Sequence, residues 1–275
     1  MKVLDLFSGI GGFSLGLERA GMETVAFCEF DKHAQKVLKK HWPDVPLYDD
    51  VRTLDGKRFR GTVDVVCGGF PCQDLSVAGK AEGFDGERSS LYREMLRIIS
   101  DSESRYAIFE NVSGLFIGDD GRWFAKFLYD LASIGYDAEW HRMEASHVGA
   151  YHRRDRGWIV AYRQEDNDQS HHRGETEGQV SKPRESISRA KIPTDTDTQR
   201  KQAGSKIAHH IQQQIQSLRS GKDFRRGFHL TEPALRGAND GVSTRMDRIR
   251  IAQLGNAVVP QIPEIIGRAI MEAGR

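Results

Sequence analysis

A cysteine follows a turn built from glycine and proline in Gly68-Gly69-Phe70-Pro71-Cys72-Gln73-Asp74-Leu75-Ser76. The apolar run ahead of it, Val63-Asp64-Val65-Val66-Cys67, predicts a buried strand, so the turn presents one thiol at a sheet edge. A thiolate there can act as a nucleophile if its pKa is lowered, although a proline-cysteine turn taken alone is more often structural. Glu110 is a second candidate, at the end of the run Tyr106-Ala107-Ile108-Phe109. A carboxylate on a buried strand end is poorly hydrated, which raises its pKa and lets it hold a proton; the same position also suits a helix cap or a charge partner. The third candidate is His152-Arg153-Arg154-Asp155-Arg156, whose guanidinium forks suit anions or base edges. Alone, that cluster reads slightly better as solvated surface.

These groups need a frame, and the N-terminal half supplies one. A strand over 2–6 runs into Phe7-Ser8-Gly9-Ile10-Gly11-Gly12-Phe13, and a helix continues to about Ala20 before Gly21 ends it. Strand, glycine turn and helix open a nucleotide-type α/β fold, in which close backbone approach and helix N-terminal N–H groups hold a ligand. Ser14 stands where a dinucleotide fingerprint calls for glycine, so the turn alone leaves a dehydrogenase, a methyltransferase and a purely structural turn all open. A second strand, Glu23 to Cys28, ends at Glu29-Phe30-Asp31. An acid about 20 residues beyond a glycine turn is placed for ribose hydroxyls, and Phe30 for stacking on a base; alternatively, Glu29 favours the start of the helix predicted over Lys32 to His41. Pro46 to Val51 offers a further acid near a strand end.

Residues 77–90 carry three glycines and mixed charges, which predicts a mobile loop able to close over a site. The next helix places Leu91, Met95, Ile98 and Ile99 on one core-facing side, and another over 122–134 buries Trp123, Phe127, Leu128 and Leu131. Strands are predicted over 136–143 and 157–162, with the arginine cluster in the connection between them. Composition then changes. Residues 163–223 hold no aromatic residue, and 163–226 carry thirteen Lys/Arg against nine Asp/Glu, about +4. Aliphatics such as Val180, Ile187 and Ile192 are too sparse for a core, so this is read as an insertion, largely disordered without nucleic acid, with a short helix over Ile207 to Leu218. A glycine-punctuated basic segment follows, and then a final helix with Ile262, Ile265, Ile266, Ala269 and Ile270 on the face that packs against the body. The expected division is 1–162, a nucleotide-type α/β body; 163–227, variable; and 228–275, a basic segment plus the final helix.

The whole chain has 275 residues and a net charge of +1, which demands neither nucleic acid nor membrane but can conceal a local basic surface. Three cysteines (Cys28, Cys67, Cys72) form no disulfide framework and no zinc spacing, and they suit a reducing cytosol. With no signal peptide or long apolar run, a soluble cytoplasmic protein is expected.

Taken in order, DLFSGIGGF (5–13), CEFD (28–31), DDV (49–51), GGFPCQ (68–73), SSLYREM (89–95), ENV (110–112), HRRDR (152–156) and GNAVV (255–259) resemble the motifs of the DNA (cytosine-5) methyltransferases, in particular short bacterial and phage types. The set covers about 1–162 and 228–275. The resemblance implies a doubly wound, mainly parallel sheet with a small variable target-recognition insertion, the last helix returning beside the first. It implies S-adenosylmethionine as cofactor, contacted by Phe7, Gly9 and Gly11, with Glu29 on the ribose and Phe30, Asp50 and Val51 around the adenine; Pro71, Leu91 and Asn256 complete the pocket. Cys72 becomes the nucleophile on carbon 6 of a flipped-out cytosine, Glu110 binds N3 and the exocyclic amine, and Arg154 and Arg156 hold O2 and the surrounding charge. Gln73, Ser76, Lys80, Arg88, Arg236 and Arg245 are the implied DNA contacts. No metal is implied. Duplex DNA is the implied partner of a monomer, and a cognate restriction endonuclease fits the same picture.

Two departures from the family stand out. His152 replaces the usual glutamine ahead of the arginines, and the variable region is short. Two other readings accompany the enzyme: a decayed, DNA-binding member, and a transfer RNA cytosine-5 methyltransferase. The RNA-acting relatives carry a Cys-Phe-Thr element, which this chain lacks.

Overall fold

Alternating apolar runs and amphipathic stretches fold into one seven-stranded sheet with helices on both faces in the computed structural model, which describes residues 1–71, 90–163, 209, 211–213, 216 and 253–273. Strand β1 (Lys2–Leu6) leads into helix α1 (Gly12–Arg19), then β2 (Glu23–Cys28), α2 (Lys32–His41), the short β3 (Leu47–Tyr48) and β4 (Val65–Gly68). Helix α3 (Ser90–Ser102), β5 (Tyr106–Val112), α4 (Gly114–Ile117), α5 (Arg122–Ser133), β6 (Tyr136–Glu144), β7 (Asp155–Arg163) and α6 (Gln261–Ala273) complete the described elements. The sheet order is β3-β2-β1-β4-β5-β7-β6, with β7 antiparallel to both of its neighbours.

The order reverses between β1 and β4. From β1 the chain winds outward through β2 and β3, then returns to pair β4 on the other side of β1. In sheets of this kind the crevice beyond the carboxyl ends at that reversal is where ligands bind. The glycine turn after β1 and the Gly68-to-Pro71 stretch after β4 both open onto it.

Side-chain alternation divides the core. Leu4, Leu6 and Val66 face the layer of α3 and α5, where Met95, Ile98, Ile99, Phe127 and Leu131 are fully buried. Val3, Val65 and Cys67 face the layer of α1 and α6, filled by Phe13, Leu17, Ile265, Ile266, Ala269 and Ile270. The central strands are buried on both faces, hence their near-continuous apolar sequence. The expected return of the last helix beside the first is observed: a Cβ at Gly267 would lie 2.8 Å from Ala20 Cβ, and one at Gly16 would lie 2.2 Å from the Pro260 carbonyl oxygen and 2.8 Å from Pro263 Cγ. Gly16→Ala is therefore expected to destabilise the fold by about 1–3 kcal/mol, seen as a lower urea midpoint at unchanged slope.

Predicted bounds hold best where caps are explicit. Helix α2 begins where the Asp31 carboxylate accepts from His33 and Ala34 N–H, at 2.7 and 2.8 Å. Strand β5 runs past the predicted Phe109 to Val112, because Glu110, Asn111 and Val112 pair with Trp158, Gly157 and Arg156 of β7. On α5, Phe124 is buried, whereas Trp123 and Leu128 are only partly so. The expected disorder of the insertion does not extend to Ile211: His209, 211–213 and 216 are helical, and Ile211 is fully buried in the core on the α1 and α6 face. An isoleucine in a polar stretch needs no core of its own when an existing one can take it. Among the described residues no helix is long and apolar enough to cross a membrane.

Candidate active site

The glycine turn is shaped by backbone that few residues tolerate. Phe7, Gly9 and Gly11 have φ of 53, 54 and 87°, values costly for a bulky side chain and free for glycine. A Cβ at Gly9 would meet nothing within 4 Å among the described residues, so none of them packs over its backbone. Gly11 differs: a Cβ there would sit 2.6 Å from the Trp42 ring, which closes the turn from behind. The Trp42 indole N–H is fixed in turn by the Glu18 carboxylate at 2.8 and 3.0 Å.

Glu29 stands across the turn. Its Oε2 accepts the Gly9 N–H and its Oε1 the Asp31 N–H, each at 2.7 Å. Burial pushes its carboxyl above the usual range, while those N–H groups pull it back. Each oxygen keeps a second lone pair for a hydroxyl donor. Beside it Phe30 is 72% exposed, its ring open at the end of β2. Open backbone at Gly9, an acceptor pair and a bare ring fit an adenosine group.

The second half of the site lies beyond β4 and β5. Glu110 is buried, and its Oε2 lies against Gly69, where a Cβ would come within 3.0 Å. The next residue, Asn111, donates from Nδ2 to the Phe70 carbonyl at 3.2 Å, tying β5 to the turn that leads into Cys72. Arg156 Nε comes to 3.0 Å from Glu110 Oε1 as an ion pair, but it is not aligned as a hydrogen bond, and the buried Oε1 has no hydrogen-bond partner among the described residues. Desolvation raises the Glu110 pKa against the pull of Arg156 and then Arg154. Arg154, at φ 34°, donates to the Gly255 carbonyl; burial and the like charge of Arg156 lower its own pKa. The cluster that read slightly better as solvated surface is half site: Arg156 faces Glu110, while His152 and Arg153 are exposed. What results is a buried carboxyl with one unmet oxygen, backed by two guanidinium groups, at the mouth of a turn that ends in a cysteine.

A family model for C-5 cytosine-specific DNA methylase matches residues 1–250. The chain belongs to that family. Among curated relatives, the Type II methyltransferase M.Eco47II of Escherichia coli is 42% identical over 135 residues, 49% of this chain and 32% of its own. The Type II methyltransferase M2.BsuMI of Bacillus subtilis is 38% identical over 165 residues, 58% of this chain and 42% of its own. A crystal structure of a prophage-encoded E. coli protein, described as a DNA modification methyltransferase, superposes with a TM-score of 0.50 at 28% identity, over 59% of this chain and 47% of that one. The chain thus spans less than half the length of these relatives.

The remaining residues expected at the site are placed as follows. Pro71 is exposed at the end of the described turn, and Leu91 is partly buried against the core. Asn256 is exposed on the turn that Gln253 ties to Asp31 Oδ1 at 3.3 Å. The Asp50 carboxylate is occupied by Arg52, with Nη2 at 2.7 Å, which holds its pKa down. Val51 is buried, and its carbonyl accepts from Arg97 at 3.0 Å. Cys72, Gln73, Ser76, Lys80, Arg88, Arg236 and Arg245, the loop 77–90 apart from Ser90, which opens α3, and most of 163–227 lie outside the described residues. Sequence reading gave no role to Asp5, Ser14, Asn111 or Arg97, although Asp5 opens the DLFSGIGGF motif, Ser14 breaks the glycine fingerprint and Asn111 is the middle residue of the ENV motif.

Proposed function

We propose that this chain transfers a methyl group from S-adenosylmethionine to carbon 5 of a flipped-out cytosine in duplex DNA. The observation that carries the reading is the buried Glu110 carboxyl, its Oε1 ion-paired with Arg156 at 3.0 Å and its Oε2 against Gly69 on the turn leading to Cys72. Carbon 5 of cytosine is a weak nucleophile because the ring is aromatic and electron-poor. Attack of the Cys72 thiolate on carbon 6 breaks that conjugation and leaves carbon 5 enamine-like. Glu110, with its raised pKa, holds a proton for N3 and accepts from the exocyclic amine as the thiolate adds. Arg154 and Arg156 supply fixed positive charge on the O2 side. Loss of the carbon 5 proton and expulsion of Cys72 then release 5-methylcytosine.

S-adenosylmethionine, when bound, supplies the methyl group as an electrophilic sulfonium. Gly9 offers it open backbone, Glu29 the acceptors for its ribose, and Phe30 a face for its adenine. Residues 163–227 act as the target-reading segment and 228–252 as further DNA contacts. The protein works as a cytoplasmic monomer, alongside a cognate endonuclease.

Duplex DNA carrying 5-fluorocytosine tests the reading directly, since fluorine blocks the final elimination. A covalent protein–DNA adduct that needs both cofactor and Cys72 is expected. Adduct formation or methylation on transfer RNA in preference to duplex DNA would overturn the DNA assignment, and no adduct on either would overturn the enzyme.

A further inference from the structure

One buried ionisable group has no part in this chemistry. Asp5, in the middle of β1, is fully buried beside its register partner Cys67 of β4. Its Oδ2 accepts the Ser14 hydroxyl at 2.7 Å and the Ser14 N–H at 3.3 Å, while its backbone carbonyl accepts the Ser8 hydroxyl at 2.7 Å. One residue therefore holds both ends of the glycine turn. Gly11, at the N-cap of α1, has no side chain to satisfy the first-turn donors, and the Asp5 carboxylate reaches one of them from the neighbouring strand. Between the two clamped serines lie Gly9 and Gly11, both at positive φ, with Phe7 at +53° just before them.

We infer that Asp5 is a positioning residue for cofactor binding: acting through Ser8 and Ser14, it fixes the glycine turn in its ligand-ready shape without touching the ligand. This rests on the cofactor reading of the turn given above. Ser14, which breaks the dinucleotide glycine pattern, acquires a purpose as the donor that closes the clamp.

The clamp is charge-assisted, which makes it sensitive to pH. Burial pushes the Asp5 carboxyl up to about 7, with the two Ser14 hydrogen bonds opposing and the Glu29 charge adding to the rise. The titratable groups facing it are the Glu29 carboxyl, the Cys67 thiol and the Cys28 thiol of β2. Burial pushes Cys28 to about 12 and Cys67 well above its ordinary value, so neither thiol ionises near neutrality. Protonating Asp5 leaves a neutral acceptor and a looser turn.

The test is calorimetric titration of S-adenosylhomocysteine into the full-length wild type, Asp5→Asn and Ser14→Ala, from about pH 6 to about pH 8.5. Comparing the variant with wild type at each pH cancels the ligand's own titration. The Asp5→Asn to wild-type ratio of Kd is expected near one at the acid end, where both side chains are neutral, rising to about tenfold at the alkaline end. Ser14→Ala should weaken binding and flatten the pH slope, and it carries the test alone if Asp5→Asn does not fold. A ratio that stays near one throughout, or Ser14→Ala binding as wild type does, overturns the inference. Wild type that fails to bind at all overturns the cofactor reading, and the inference with it.

Discussion

Cys72→Ala is expected to lower methyl transfer to duplex DNA by at least about 10^4-fold while leaving S-adenosylhomocysteine affinity within about twofold of wild type. The size of the effect follows from the chemistry. Without a nucleophile at carbon 6 the ring stays aromatic, and no positioning of the methyl donor makes carbon 5 reactive. The separation follows from the fold, because Gly9, Glu29 and Phe30, the groups suited to adenosine, stand on the turns after β1 and β2, whereas Cys72 follows β4. Radiolabelled methyl transfer measured beside calorimetry checks both parts. Turnover near that of wild type would remove Cys72 from the mechanism.

Glu110→Gln should slow covalent addition by about 10²–10⁴-fold, the range expected for loss of a general acid. Its effect on stability should run the other way. Burial raises the Glu110 pKa in the folded state despite Arg156 and Arg154. A carboxyl with a raised folded pKa stabilises fully only below its unfolded pKa, and that contribution is lost as pH rises toward the folded value. At neutral pH, above the unfolded pKa, burying this carboxyl therefore opposes folding. The glutamine variant, which cannot ionise, should show a urea midpoint at or above that of wild type. Trapping on 5-fluorocytosine DNA at the wild-type rate, or a midpoint well below wild type, would contradict the role and the electrostatics respectively.

Local rules and long-range pairings divide what could be read from the sequence. Helix α2 was legible to the residue because Asp31 is a strong cap and the following residues are helical. Glu29 was legible as an acid on a strand end, and its raised pKa, like that of Glu110, follows from burial alone. The Glu110–Arg156 pair was visible only through the family resemblance. Its partners are 46 positions apart, and they meet because β7 runs antiparallel beside β5, bringing the start of one strand to the end of the other. The part played by Asp5 was illegible for a different reason: the acid opens the DLFSGIGGF motif, but only the packed structure places its carboxylate under the N-terminus of α1. Ile211 was overlooked because the insertion was judged on whether it could build a core rather than join one.

The chain leaves the sheet at Arg163, returns Ile211 to the core on the α1 and α6 face, and is held again at Gln253, which is tied to Asp31 ahead of helix α6. The span between Arg163 and Gln253 is thus closed at its base and pinned once at Ile211. In a flexible connection between fixed ends, closure entropy grows only logarithmically with length, and each doubling costs about 0.6 kcal/mol. Changes of length on either side of Ile211 should therefore leave the stability of the sheet nearly unchanged, whereas loss of Ile211 itself should open the core. On the function proposed above, the segment that reads the target is thus free to vary in length independently of the residues that perform the reaction.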